Sequence, residues 1–245
     1  MIADSYLFSS IGGREENQDA LGERKNAAGG LFVVADGLGG HQNGRQAADC
    51  VVDTLMQNWD AAADMDPECL KARIGEANQA VLSLQQEKNS NMKSTVVVLA
   101  LQGESAVWAN TGDSRLYCLH EDRIAAVTAD HSVAYTKYLG GEISRDQIAT
   151  DEDQSRLLRS LGSPDRWEPN AAGRSGLCPG DAFFLCSDGM WEYLRDEEIL
   201  FDRLKAASAQ EWGELLLLRV MARLQPGNDN LSFITLILEP DNEGA

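Results

Sequence analysis

The apolar positions of this chain follow two different periods, and the change between them divides the sequence into blocks. Over residues 44–59 and 67–88, apolar side chains recur every three or four positions, which predicts two amphipathic helices lying side by side on a sheet. Residues 5–11 and the apolar run at 31–35 predict the first strands. The segment between them, residues 12–30, is polar and is interpreted as a loop.

Beyond residue 95 the helical spacing of apolar residues gives way to short runs of strand-forming residues. The β-rich runs follow one another closely, at 95–101, 105–110, 115–119 and 123–128. A parallel crossover needs about a dozen residues or more, so connections this short require antiparallel neighbours, and we expect a β-meander. A meander also argues against a dinucleotide-binding role for the Gly-rich turn after Asp36.

The second half of the chain predicts a polar insert followed by a closing block. Residues 132–170 lack strong periodicity and are interpreted as a flap-like insert with one or two short helices. The elements expected after it are a strand at 181–186, helices at 196–206 and 208–224, and a strand at 231–238. These blocks indicate an α+β fold of stacked antiparallel sheets flanked by helices. We expect one domain over 1–240 and a polar tail over 241–245.

The composition narrows the classes of partner and the compartment. The formal charge of −18 argues against nucleic acid or an anionic membrane as a partner, because both attract cationic proteins. The five cysteines form no C-x-x-C pair, which suits a reducing compartment and gives no zinc cage. We find no signal peptide and no apolar run of the roughly 18–20 residues that a transmembrane helix needs. A cytoplasmic, monomeric protein is the expectation.

The strongest chemical signal is a carboxylate that recurs at the ends of apolar runs. Asp36 ends the run at 31–35 and is followed by a Gly-rich turn, Asp188 follows a second apolar run, and Asp229 precedes the last predicted strand. Carboxylate and carbonyl oxygens suit magnesium, manganese or calcium rather than zinc. The sequence therefore predicts one metal site that these three aspartates share.

Seven short motifs, in order along the chain, resemble those of the metal-dependent protein phosphatases of the PP2C type, the PPM family. They are Arg14-x-x-Asn17-x-Asp19, Asp36-Gly37-Leu38-Gly39-Gly40-His41, Ser94-Thr95, Gly112-Asp113-Ser114-Arg115, Thr128-Ala129-Asp130-His131-Ser132, Ser187-Asp188-Gly189 and Asp229-Asn230. Each motif alone is a weak signal, whereas seven in the family's order are a specific one.

The resemblance implies a four-layer α/β/β/α sandwich and hydrolysis of phosphoserine and phosphothreonine in proteins at a centre of two Mn²⁺ or Mg²⁺ ions. In that picture Asp36 bridges both ions, and the Gly37 carbonyl helps to hold one of them. Asp188 and Asp229 hold the other ion, and Asp19 orients water bound to the metal. Such pairs of ions clamp the attacking and leaving oxygens and supply hydroxide at neutral pH.

Three further residues have two readings each. Arg14 either grips the phosphate with its planar fork or is a surface arginine paired with Glu15 or Glu16. Asp113 either contributes with Asp188 to a third, weaker metal site or forms an Asx turn between strands. His41 either protonates the leaving alkoxide or caps the helix that follows it.

The sequence also departs from the family's pattern and leaves other residues in plain structural roles. Leu38 stands where the family's animal members have histidine, which leaves the proton donor open. Gln18 stands where glutamate is common, which removes one charge near the site without emptying it. Asp130 and His131 are interpreted as structural. The basic residues of the insert are interpreted as surface positions: Lys137, Arg156 and Arg159.

Other classes fit less well. The chain has no cysteine-phosphatase motif, no Gly-x-Ser-x-Gly elbow, no P-loop and no D-x-D-x-D-G calcium loop. The remaining rival is a non-catalytic relative that binds and regulates a phosphoprotein or a kinase. For the enzyme, the expected partners are a phosphoprotein substrate and a Ser/Thr kinase that the enzyme opposes.

Overall fold

Two antiparallel sheets form the centre of the fold. The computed structural model describes residues 1–26, 29–39, 43–57, 59 and 66–240. The strands are β1 (Ile2–Ser10), β2 (Asp19–Asn26), β3 (Gly29–Leu38), β4 (Lys93–Ser94), β5 (Val96–Gln102), β6 (Ser105–Thr111), β7 (Arg115–His120), β8 (Arg123–Val127), β9 (Asn170–Ser175), β10 (Ala182–Cys186) and β11 (Leu231–Glu239). The helices are α1 (Asn43–Gln57), α2 (Pro67–Lys88), α3 (Val133–Leu139), α4 (Asp188–Trp191), α5 (Asp196–Lys205) and α6 (Ala209–Met221), with a 3₁₀ helix at Arg145–Thr150.

The order of the strands separates the chain into two sheets. Sheet A has the order β1-β11-β10-β7-β8, and sheet B has the order β2-β3-β5-β6-β9, with β4 paired to β3. Every one of these pairings is antiparallel. Sheet A therefore joins the first and last strands of the described chain, β1 and β11, side by side.

Strand β3 shows why the sheets are stacked and covered by helices. Its residues are apolar on both faces, and alternate side chains enter different cores. Phe32 and Val34 pack between the sheets, whereas Leu31, Val33 and Ala35 pack under α1 and α2. A third core lies between sheet A and helices α5 and α6. These three cores separate four layers, and the predicted α/β/β/α sandwich is confirmed.

The predicted loop over residues 12–30 is wrong, because β2 occupies most of its second half. Strand β2 is the edge of sheet B, and its residues beyond Gly22 are exposed and polar. An edge strand with so little apolar surface has no alternating pattern, so the sequence gives no strand signal there. Strand β9 was missed for the same reason, since it forms the opposite edge of sheet B and is largely exposed.

The predicted β-meander is also wrong, because it breaks between β6 and β7. Strands β5 and β6 pair in sheet B, and β7 and β8 pair in sheet A. Residues 112–114 connect one sheet to the other, and Gly112 turns the chain there with a φ of +101°. Packed sheets lie about 10 Å apart, so three residues suffice for the crossing.

The helices agree closely with the sequence patterns. Helix α2 has its predicted bounds, and α6 begins after Ser208, whose hydroxyl accepts a hydrogen bond from the Glu211 amide at 3.1 Å. Helix α6 ends at Met221, three residues before the predicted end. In the described part of the chain, no helix is long and apolar enough to cross a membrane.

The segment 132–170 contains α3 and the 3₁₀ helix, and several of its charged residues pair within it. Lys137 lies 2.8 Å from Asp151 and 2.9 Å from Asp153, and Arg156 lies 2.7 Å from Asp153. These contacts hold Lys137 and Arg156 within the segment. That the segment acts as a flap stays a prediction.

Candidate metal centre

Asp19 and Asp36 lie directly opposite each other on adjacent strands of sheet B. They are a Cα pair in the β2–β3 register, which brings their side chains to the same end of the sheet. Asp19 is 2% exposed and accepts a 2.9 Å hydrogen bond from the Ser187 hydroxyl of the other sheet. The strand that the sequence analysis missed therefore delivers one of the predicted site residues.

The Ser94-Thr95 pair fixes the backbone of Asp36. The Asp36 amide donates to Thr95 Oγ1 at 3.1 Å, and the Thr95 amide donates to the Asp36 carbonyl at 2.8 Å. Ser94 Oγ donates to the same carbonyl at 3.0 Å. Two hydroxyl side chains beside a strand end thus satisfy backbone groups that would otherwise be buried without partners.

Gly37 is required by the close approach of helix α1. A Cβ atom on Gly37 would lie 1.9 Å from the carbonyl oxygen of Gly44, in the first turn of that helix. The Gly37 amide donates to the Gln18 carbonyl at 3.1 Å, and Gly37 lines the cavity beside Asp36. The chain at this point is a bare backbone held between a helix and a strand, with no room for a side chain.

Sheet A supplies the opposing carboxylates. Asp188 follows β10 and begins α4, where its Oδ1 accepts a 2.7 Å bond from the Gly189 amide. Asp229 precedes β11, and its Oδ1 accepts a 2.8 Å bond from the Asn230 amide. A Cβ on Gly189 would lie 2.0 Å from the Asn230 carbonyl oxygen, so glycine lets the two strand ends approach each other.

Arg14 faces this cluster from the mouth of the cavity. Its Nε and Nη2 donate to the two carboxylate oxygens of Asp229 at 3.0 and 2.7 Å. Its side chain is 54% exposed. Arg14 is therefore paired with Asp229, a predicted metal ligand. The alternative interpretation had placed it on the surface in a pair with Glu15 or Glu16.

Asn230 holds the loop that carries Arg14, a role that the sequence analysis missed. Its Nδ2 donates to the carbonyls of Ile11 and Glu16, both at 2.9 Å, and its Oδ1 accepts from the Gln18 amide at 2.8 Å. Asn230 is 4% exposed. The only sequence signal for it is its place beside Asp229 in the last motif.

Asp113 reaches the same cavity from the connection between the sheets. Its carbonyl accepts a 2.9 Å bond from Trp191 Nε1, and the Arg115 guanidinium stacks 3.5 Å from the centre of that Trp191 ring. Arg115 is in turn paired with buried Asp130 through two bonds of 2.8 and 2.6 Å. The structural interpretation of Asp130 is confirmed.

His131 and Arg159 support the same crossing from the insert. The Gly112 amide donates to His131 Nδ1 at 3.2 Å, and the His131 amide donates to the Gly112 carbonyl at 2.9 Å. Arg159 Nη1 donates to the Glu168 carbonyl at 2.9 Å and lies 3.5 Å from His131 Nε2. The structural interpretation of His131 is likewise confirmed.

The predicted residues converge on one cavity of about 860 Å³. Those that line it are Arg14, Asp36, Gly37, Asp113, Asp188 and Asp229. Asp19 stands beside Asp36 without lining the cavity itself, and His41 lies outside the described residues. Ser155 and Leu157 also line the cavity from the insert, and no pattern in the sequence indicated them.

The electrostatics of the site are those of crowded carboxylates. Burial is the largest cause of the raised pKa of Asp19, which is about 6, and of Asp188, which is about 7. The pKa values of Asp36 and Asp113 lie well above their usual range, first because of burial and then because of neighbouring aspartates. Close like charges disfavour ionisation, so a divalent cation would relieve this repulsion.

The donor set fits a hard cation. The side chains that line the cavity in the described part of the chain offer carboxylate and amide oxygens and include no histidine or cysteine. Such ligands suit Mg²⁺ and Mn²⁺. Buried carboxylates with an arginine at the entrance are the arrangement that a metal-dependent hydrolase of phosphate esters needs.

Comparison with known proteins agrees with this class. Residues 9–216 match the family model of protein phosphatase 2C. The "Serine/threonine phosphatase stp" of Listeria welshimeri is 30% identical over 233 residues, 90% of each chain. The "Protein phosphatase PhpP" of Streptococcus pneumoniae is 30% identical over 79% of this chain and 81% of its own.

Solved structures show the same fold. The serine/threonine phosphatase PstP/Ppp of Mycobacterium tuberculosis has a TM-score of 0.85 and 26% identity, over 98% of this chain and 100% of that one. A catalytic domain of PstP in complex with two manganese ions has a TM-score of 0.81 and 24% identity, over 97% and 99% of the two chains. The chain belongs to the protein phosphatase 2C family and is an enzyme of the Ser/Thr protein phosphatase class.

Proposed function

We propose that this protein hydrolyses phosphoserine and phosphothreonine in proteins at a centre of two Mn²⁺ or Mg²⁺ ions. The observation that carries the proposal is the convergence of carboxylates from both sheets on one cavity with Arg14 at its mouth. The manganese-bound PstP catalytic domain, which shares the fold, supports the choice of metal.

The carboxylates have different places around the proposed ions. Asp36, which projects between the two sheets, and the Gly37 carbonyl would bind metal from the side of sheet B. Asp188 and Asp229, which come from sheet A, would bind it from the opposite side. When bound, the two ions supply Lewis acidity that polarises the phosphoryl group and activates water at neutral pH.

Asp19 acts as a base and positioning group beside Asp36. Its Oδ2 accepts a hydrogen bond from the Ser187 hydroxyl, and side-chain hydrogen bonds with Ser232 and Asp36 also hold the carboxylate in place. The buried environment of Asp19, together with its neighbour Asp229, disfavours its ionisation while no cation is near. With a divalent cation bound nearby, Asp19 would be an anion that accepts hydrogen bonds.

Arg14 binds the phosphate of the substrate. Its guanidinium fork occupies both oxygens of Asp229, a geometry that also matches two phosphate oxygens. With Asp229 engaged in metal binding, the Arg14 fork would be available to an incoming phosphate. The exposed position of Arg14 gives a bulky phosphoprotein access to it.

Two parts of the proposal concern residues around this centre. Asp113 faces Asp188 across the cavity and is the candidate ligand of a third ion. The proton for the leaving alkoxide comes either from His41 or from water. By analogy with the kinase–phosphatase pairs of signalling systems, a Ser/Thr kinase provides the phosphoproteins that the enzyme acts on.

A phosphothreonine peptide tests this function directly. We expect hydrolysis that requires Mn²⁺ or Mg²⁺, stops in EDTA and falls by at least about a hundredfold in Asp36→Asn and Asp188→Asn. Asp165→Asn, which removes an exposed carboxylate away from the cavity, is the matched control and retains full activity. A folded wild-type protein without activity in either metal would overturn the enzyme proposal and favour a non-catalytic, phosphoprotein-binding role.

A further inference from the structure

A second group of metal-ligating side chains lies at the end of sheet A that faces away from the carboxylates. Strand β7 runs from the Asp113 connection to His120, and its antiparallel neighbour β10 lies between Asp181, which precedes it, and Asp188, which follows it. His120 and Asp181 therefore meet at one end of this strand pair, and Asp113 and Asp188 meet at the other. Cys178, in the turn before β10, joins His120 and Asp181.

The three ligand atoms lie close together. His120 Nδ1 is 2.8 Å from Asp181 Oδ1. Cys178 Sγ is 4.0 Å from the same nitrogen and 3.7 Å from the same oxygen. The second Asp181 oxygen accepts the Cys178 amide at 3.0 Å, which fixes the carboxylate and the turn relative to each other.

These separations are close to those of a tetrahedral zinc site. Zinc bonds of about 2.3 Å to sulfur and 2.0–2.2 Å to nitrogen and oxygen place the ligand atoms about 3.3–3.6 Å apart. An ion between the three atoms requires His120 Nδ1 and Asp181 Oδ1 to separate by about half an ångström, and Cys178 Sγ to approach by a similar amount. Rotation of the exposed Cys178 side chain supplies that approach.

The surroundings of the three ligands also suit a cation. Glu121 Oε1 lies 3.7 Å from His120 Nε2, the ring nitrogen left over when Nδ1 binds an ion, and such carboxylates orient metal-bound histidines. His120 and Asp181 are buried, whereas Cys178 is open to solvent and leaves a path of entry.

We propose that His120, Cys178 and Asp181 bind one transition-metal ion of the zinc class, at a site separate from the carboxylate centre. The sets of donors distinguish the two sites. Sulfur, nitrogen and oxygen donors select zinc or cobalt, whereas the oxygen-only centre at the other end of β7 and β10 favours Mg²⁺ and Mn²⁺. An ion here ties the turn before β10 to the end of β7.

Cobalt(II) is the probe for this site, because thiolate ligation gives it a charge-transfer absorption that oxygen ligands do not produce. The full chain is stripped of metal, supplied with excess Mg²⁺ to fill the carboxylate centre, and titrated with Co²⁺. We expect a thiolate–cobalt band that saturates at one equivalent and disappears on addition of Zn²⁺. Cys178→Ser loses the band, and His120→Gln binds Co²⁺ at least about tenfold more weakly.

Cys69→Ser is the matched control, since Cys69 is the other exposed cysteine and lies on α2. It retains the band, and circular dichroism verifies that each variant is folded. Zn²⁺ is also expected to slow alkylation of Cys178 by iodoacetamide without slowing that of Cys69, as followed by peptide mass spectrometry. A wild-type protein without the band, an equal band in Cys178→Ser, or unprotected Cys178 would overturn the proposal.

Discussion

Replacing Asp188 by asparagine is expected to stabilise the metal-free protein. The substitution keeps the shape of the side chain and the Oδ1 acceptor for the Gly189 amide, which lies at 2.7 Å. It removes the negative charge from a cluster in which burial and neighbouring aspartates raise the pKa of Asp188 from its ordinary value of 3.8 to about 7. At about 1.4 kcal/mol for each pH unit, the ionised carboxylate costs the folded state about 4 kcal/mol at pH 8.

The sign of this effect depends on pH. Between about pH 4 and pH 7 the folded protein holds a proton on Asp188 that the unfolded chain has released, so the wild-type protein loses stability as the pH rises. Asparagine does not titrate and avoids this loss. We therefore expect Asp188→Asn to raise the free energy of unfolding by about 2–4 kcal/mol at pH 8, and by less than half of that at pH 5.

Urea unfolding in EDTA, followed by tryptophan fluorescence, measures the difference at both pH values. Saturating Mn²⁺ should narrow the difference between the two proteins, because ligand at about 100 times its Kd stabilises the wild type by about 2.7 kcal/mol and the variant has lost a ligand. Asp165→Asn controls for removal of any negative charge and should change stability by less than about 0.5 kcal/mol. An Asp188→Asn protein that is less stable than wild type in EDTA at pH 8 would refute the argument from crowded carboxylates.

Three further predictions concern the groups that hold the site. Asn230→Asp replaces the amide group that donates to two backbone carbonyls by an acceptor, and should lower the free energy of unfolding in urea by about 2–4 kcal/mol. Asn228→Asp loses one bond of this kind and should lower it by about 1 kcal/mol. Equal losses in the two variants would contradict the role of Asn230 in holding the loop. Gly37→Ala places a methyl group 1.9 Å from a carbonyl oxygen and should lower the free energy of unfolding by more than about 3 kcal/mol in the same assay. Gly103→Ala is the control, because its methyl group meets no neighbour and only the φ of +56° is unfavourable, and it should lower the free energy of unfolding by about 1–2 kcal/mol. Arg14→Lys should raise the KM for a phosphopeptide about tenfold or more with a smaller change in kcat, because an ammonium group cannot bind phosphate bidentately. An unchanged KM would exclude Arg14 from phosphate binding.

The sequence predicts the site residues whose place in the fold follows from their neighbours in the chain. A carboxylate that follows a buried apolar run lies where a strand ends, whichever strands pair with it. Asp36 and Asp188 are such residues. The order of the motifs then identifies the partners of Asp36. The alternation of apolar and polar residues could not predict that Asp19 lies opposite Asp36, because β2 is a polar edge strand.

Features that depend on the pairing of distant segments were beyond the sequence patterns. The connection at Gly112 has the length of a hairpin, and only the packing of the sheets decides that it crosses between them. The hydrogen bonds of Asn230 span more than two hundred positions, to Ile11 and Glu16. No spacing rule indicates such contacts, because they are set by the register of strands at opposite ends of the chain.

The position of the centre ties its geometry to the packing of the two sheets. Asp19 and Asp36 come from sheet B, and Asp188 and Asp229 come from sheet A, so neither sheet alone forms the site. The repulsion among these carboxylates acts to separate the sheets at this edge. In the described part of the chain, the buried apolar residues between the sheets oppose that separation and so hold the carboxylates together before a cation arrives. Substitutions that weaken this core, such as Phe183→Ala, should therefore impair metal binding as well as stability, although Phe183 belongs to neither metal site.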